Sequence, residues 1–263
     1  MFGFLVCMLL IVPWLATLFG SMLALKLSHT GIRMLKVLLG FAAGVMLAAS
    51  VWSLIIPAFD EAGTELVGVL TVSAGFIVGC ILMLMLDRLI PHQHNQAEAH
   101  PEGPPSKLSR PMLLVVAVAL HNIPEGLSLG IVLHAALSDQ SYSNIAGIAF
   151  GLGLALQNFP EGIAVVMPLR QLGIPEATCR RFGALASLAE PVAALLAWAC
   201  AAFLTQSFAV VMPFLLSVAA GAMVFIVVEE LIPESQTEAH DHFPTYGLLA
   251  GFWLMAVMGI VAG

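Results

Sequence analysis

The sequence predicts an all-α, polytopic membrane protein, and three observations carry that expectation: the composition, the continuity of the apolar runs and the placement of the basic residues. Of the residues, 60% are hydrophobic and 10% charged, with a mean hydropathy of +1.00, far outside the range of soluble domains. Eight apolar runs lie near residues 3–25, 35–57, 66–86, 111–134, 144–169, 182–204, 209–231 and 244–262, and a spanning helix needs roughly 20 such residues. The runs are continuous, which favours a helical bundle over a barrel. All nine Lys and Arg fall at alternate connections: Lys26, Arg33 and Lys36; Arg88, Lys107 and Arg110; Arg170, Arg180 and Arg181. The positive-inside rule makes these connections cytoplasmic and both termini extracytoplasmic, in an inner or plasma membrane. The link 232–243 has neither Lys nor Arg and takes its cytoplasmic side from the order of the spans.

Taken in order, the first run lacks a basic leader segment and is longer than a signal's apolar core, so it reads as a helix, interrupted at Pro13. Gly20 and Ser21 suit close helix packing. The second run repeats small residues from Gly40 to Ala49, then passes Ser50 and Ser53 to Pro57, Asp60 and Glu61. With Glu65 these acids either form a solvated outer loop or gather cations at an outer mouth. The third run is apolar as far as Asp87 and Arg88. Residues 87–110 read as a flexible cytoplasmic loop, with His92, His94, His100, Glu98 and Glu102 offering at best weak metal binding. Cys7, Cys80, Cys179 and Cys200 are scattered without a CxxC pair, so no redox role is expected. The formal charge of −7 decides nothing by itself.

The fourth and fifth runs carry one phrase twice: His121-Asn122-Ile123-Pro124-Glu125-Gly126 and Gln157-Asn158-Phe159-Pro160-Glu161-Gly162. Each puts a donor four residues before a carboxylate, on one helical face. Each proline frees a carbonyl one turn earlier, at Leu120 and at Leu156. The loop between the runs is short, so the helices are antiparallel and the two ligand sets meet at one depth. A purely structural polar clamp does not require two carboxylates, which repel unless protonated or bridged by a cation. His134 reads as interfacial.

The sixth run adds Glu190, roughly 12 Å inward from residue 182 by helical rise. Carboxylate, amide and imidazole donors without thiolate suit Zn²⁺, Mn²⁺ or Fe²⁺ rather than Cu(I). The seventh run ends with Glu229 and Glu230, inside the apolar stretch and placed to receive departing ions; Glu234, Glu238, His240, Asp241 and His242 follow and read equally as part of that group or as a solvated helix end. The eighth has no ionisable residue and reads as scaffold.

The paired HN-x-P-E-G and QN-x-P-E-G phrases, Glu190-Pro191 in the sixth run and the histidine-bearing loop after the third resemble the ZIP (Zrt/Irt-like) metal-transporter family, the Gln157 form being similar to its bacterial GufA-like branch. The resemblance covers essentially the whole chain, 1–263, as one transmembrane domain. It implies import of divalent metal, Zn²⁺ foremost and otherwise Fe, Mn, Co or Cd. It implies one metal on His121, Glu125, Gln157 and Glu161, and a second near Asn122, Asn158 and Glu190, bridged by Glu125 and Glu161. Asn158 stands where some relatives have aspartate, which weakens the second site. The resemblance also implies an exit group of Asp87, Glu229 and Glu230, inverted-repeat halves (spans one to three and six to eight) around spans four and five, and a homodimer. Beyond the transported ion and membrane lipid, neither cofactor nor nucleic acid is expected. The rival readings are an intramembrane zinc metalloenzyme, for which the HExxH pattern is missing, and a metal-gated channel or sensor with the same ligands.

Overall fold

The computed structural model describes residues 8–26, 32–92, 103–138, 142–204, 208–236 and 241–262, and contains no strand among them. The helices are α1 (Val12–Lys26), α2 (Ile32–Ala49), α3 (Ile56–Ala62), α4 (Leu66–Leu89), α5 (Arg110–Leu137), α6 (Asn144–Gln171), α7 (Glu176–Ser187), α8 (Ala189–Leu204), α9 (Phe208–Ile226), α10 (Ile232–Ser235) and α11 (Phe243–Ala262). A π-helical turn, Ser50–Ile55, joins α2 to α3, and another, Val227–Leu231, joins α9 to α10. Seven helical stretches are long and apolar enough to cross a membrane, and α1 is a shorter apolar helix. The expected loop site at His94, Glu98, His100 and Glu102 lies outside the described residues, as do Cys7, Glu238 and His240.

Both π turns precede an Ile-Pro pair, Ile56-Pro57 and Ile232-Pro233. Proline has no N–H to donate and its ring crowds the carbonyl four residues back, so the helix widens there instead of ending. The second run therefore continues as helix past Pro57 to Ala62. The sixth begins at Glu176 rather than near 182. Its first turns are amphipathic, burying Cys179 and Gly183 while keeping Glu176, Arg180 and Arg181 toward the surface, and a simple hydropathy count passes over them. Glu190 is consequently about 21 Å along its span, not 12 Å.

Four parallel helix pairs build the molecule: α1 with α6, α5 with α8, α2 with α11 and α4 with α9. Glycine makes each seam. A Cβ at Gly40 or Gly44 would overlap the carbonyls of Pro244 or Leu248, and one at Gly20 that of Phe159. Gly79 meets Val218 in the same way, and Gly126 meets Glu190. In hydrocarbon there is no water to squeeze out, so backbones this close gain through dispersion and shape. The pairs gather into two groups: α1, α5, α6, α7 and α8 in one, α2, α4, α9 and α11 in the other. They meet along α2–α6 and α5–α9.

At the end carrying Arg33, its Nε donates to Asp241 Oδ2 at 3.0 Å, and its guanidinium lies 4.5 Å from the Phe243 ring centre. The 232–243 link therefore shares a membrane side with the connection bearing Arg33 and Lys36, although it has no basic residue of its own.

Candidate metal centre

The repeated phrase sits near the middle of α5 and α6, and their antiparallel packing turns the two copies toward each other. Glu125 and Glu161 are close enough to act on each other electrostatically. Two carboxyl groups at that range repel unless a proton or a cation comes between them. Glu190, in the first turn of α8, is electrostatically coupled to both. Glu125 and Glu190 are fully enclosed, Glu161 nearly so.

Three carboxamides orient this cluster. Gln157 Nε2 donates to Glu125 Oε1 at 2.7 Å, Asn158 Nδ2 to Glu190 Oε2 at 2.6 Å and Asn122 Nδ2 to the Ala186 carbonyl at 3.1 Å. The Gln157 and Asn158 nitrogens are spent on carboxylates of the cluster and the Asn122 nitrogen on a backbone carbonyl, which leaves each amide oxygen without a donor. The outcome is a set of buried acceptors with no donor: Asn122 Oδ1, Glu125 Oε2, Gln157 Oε1, Asn158 Oδ1 and Glu190 Oε1. Buried polar atoms without partners are costly, and five oxygens concentrated in one cluster are what a cation satisfies. Among the described residues no three His, Cys, Asp or Glu side chains form a metal-holding group by themselves, so the amide oxygens are part of any donor set here.

His121 pairs with Glu230 across α5 and the second π turn. The family resemblance implies separate stations for these two residues, central and exit; the structure puts them in contact. Glu229, one position earlier, is exposed. Asp87 bonds His92 Nε2 at 3.0 Å at the end of α4, and Asp241 is taken up by Arg33 and by the Phe243 N–H at 3.1 Å. Neither is drawn into the His121 cluster by the contacts found.

A cavity of about 40 Å³ runs along His121, Glu161, Ala117, Leu39 and Glu234, enough for one water-sized guest. It opens on the α5 N-terminal side of the cluster, the side of the basic connections. Glu234, which the sequence leaves open between a place in the exit group and a solvated helix end, is among the lining residues. Toward the opposite side, Leu129 and Leu154, one turn beyond the motifs, are fully buried. Farther out lies a separate cavity of about 280 Å³, lined by Asp60, Glu61, Trp52, Ser53, Tyr142 and others. There the Tyr142 hydroxyl donates to the Ser53 carbonyl at 3.0 Å, the oxygen that Pro57 leaves without its helical donor. Ser143 both caps α6 through the Ala146 N–H and donates to the Ala262 carbonyl.

Two seam glycines close the motifs. A Cβ at Gly126 would strike the Glu190 carbonyl and one at Gly162 that of Thr17. The last residue of each phrase is thus what lets α8 and α1 lie close.

A sequence model of the family described as "ZIP Zinc transporter" matches residues 91–259. The chain is 37% identical to the zinc transporter ZIPB of Bordetella bronchiseptica, over 94% of this chain and 78% of that protein. It is 32% identical to the zinc transporter ZupT of Streptococcus mutans, over 92% of each. It is 29% identical to the human zinc transporter ZIP11, over 95% of each.

Proposed function

The chain belongs to the ZIP zinc-transporter family and is a multi-pass membrane transporter of divalent metal; from that premise we propose that it carries Zn²⁺ into the cytoplasm through the buried cluster on α5, α6 and α8. The observation that carries this reading is the group of five enclosed acceptor oxygens without donors.

In this reading Glu125, Glu161, Gln157 and His121 hold one ion, and Asn122, Asn158 and Glu190 form the flank toward a second. The ion approaches from the cavity at Asp60 and Glu61, sheds water to the cluster and leaves past His121, Glu230 and Glu234. Buried leucines on one side and the small cavity on the other support a form open toward the cytoplasm. Glu229 and Asp87 stand farther along the exit. The two helix groups supply the moving parts, the metal-bearing one shifting against the other. Matched seams (α1–α6 with α5–α8, α2–α11 with α4–α9) and matched π turns support the inverted repeat of spans one to three and six to eight. The chain works as a homodimer in the cytoplasmic membrane, termini outside, and as a carrier rather than an enzyme.

Glu161→Ala tests this in proteoliposomes. Loss of saturable Zn²⁺ uptake, with normal insertion and a monodisperse protein, is expected; undiminished uptake overturns the reading.

A further inference from the structure

The seam between α5 and the α7–α8 pair has one register throughout. Asn122 meets Ala186, Gly126 meets Glu190 and Gly130 meets Ala194, each pair 64 positions apart. At two of the three levels the α5 residue is glycine, and a Cβ would overlap the facing carbonyl oxygen. Only at the first level does a side chain fill the gap, by donating Nδ2 to the Ala186 carbonyl at 3.1 Å. That level adjoins the interruption at Leu188, where α7 ends and α8 begins. Pro191 contributes to the break, since it leaves the Ser187 carbonyl without its helical donor. Glu190 is presented from the first turn beyond it.

Glycine contacts allow a close approach but do not fix sliding along the seam, because one small residue replaces another at the next turn. A single buried polar contact does fix it, as a lone buried asparagine sets the register of paired helices elsewhere. We infer that Asn122 is a positioning residue: its N–H₂ group locks α8 in register against α5 and so places the Glu190 carboxylate for metal. The inference rests on the transport reading above and assigns Asn122 work that a metal-ligating oxygen does not perform.

The discriminating substitution is Asn122→Asp, which retains an oxygen ligand and, once ionised as it is with metal bound, removes the donor. If the donor sets the register, Asn122→Asp and Asn122→Ala weaken equilibrium Zn²⁺ binding and half-saturation of uptake alike, by about tenfold, the usual scale for stranding a buried carbonyl. In a Glu190→Gln background the further effect of Asn122→Ala shrinks to under about twofold, because the placed group is gone. Should Asn122→Asp fail to accumulate in the membrane, Asn122→Ser, which keeps a hydroxyl donor, is expected to fall between wild type and Asn122→Ala. Wild-type affinity or better in Asn122→Asp, Asn122→Ser as weak as Asn122→Ala, or full multiplicative effects in the Glu190→Gln background overturns the inference. A wild-type protein without saturable uptake would instead sink the transport reading, so the two failures are distinct.

Discussion

Gln157 and Asn158 each give an N–H to a buried carboxylate without bringing positive charge. An arginine in either place would satisfy the same oxygen but would repel a cation at the remaining ones. Replacing the donor by an acceptor therefore changes stability and affinity in opposite senses. Gln157→Glu strands Glu125 beside a second carboxylate, so the metal-free protein is expected to lose about 1–3 kcal/mol and melt lower. Saturating Zn²⁺ then raises its melting temperature by more than it raises that of wild type; equal metal-free melting temperatures would argue against the arrangement. The motif residues were legible in the sequence because four-residue spacing on a helix fixes a shared face. The turning of each amide was not, because its partner (Glu125, Glu190, Ala186) comes from another helix. The role of Gly126 was hidden for the same reason: nothing in its own helix marks it as the floor beneath Glu190.

The break at Pro13 is legible in the sequence, residues 10–11 forming a turn before α1 begins at Val12, whereas the break at Leu188 is not. Proline explains both. Pro57 frees a carbonyl as Pro124 and Pro160 do, and the stranded Ser53 oxygen receives Tyr142. The early start of α7 is not legible in hydropathy, because its polar face lowers the mean. At the far end of the bundle, α11 is tied to α2 by Arg33 and Asp241. The Arg33 hydrogen bond, with help from the Phe243 N–H, holds the Asp241 carboxyl below its ordinary range. A carboxylate with a lowered folded-state pKa stabilises above its unfolded value, near pH 4, and loses that contribution as pH falls through the folded value. Asp241→Asn is thus expected to lower the melting temperature at neutral pH, and the gap from wild type should close below about pH 4. A gap that persists unchanged into acid would show that the ion pair is not its source.

At the scale of the molecule, class and span order follow from hydropathy and from nine basic residues. The pairing of helices does not. Small residues recur throughout, so a glycine says that a helix will be approached but not by which neighbour. The seams decide it, and they leave two groups of helices joined along α2–α6 and α5–α9, with the helices of the carboxylate cluster all in one. The 232–243 link, silent in charge, is placed by Arg33. This construction has one purpose in common: to hold three carboxylates in the hydrocarbon layer with oxygens left over for a cation. Anomalous diffraction at the zinc edge, from crystals grown with Zn²⁺, tests it most directly. A peak among Glu125, Gln157 and Glu161, at about 2.0–2.2 Å from the donor oxygens, is the expected result. Zinc confined to surface acids, with none among these side chains, would contradict it.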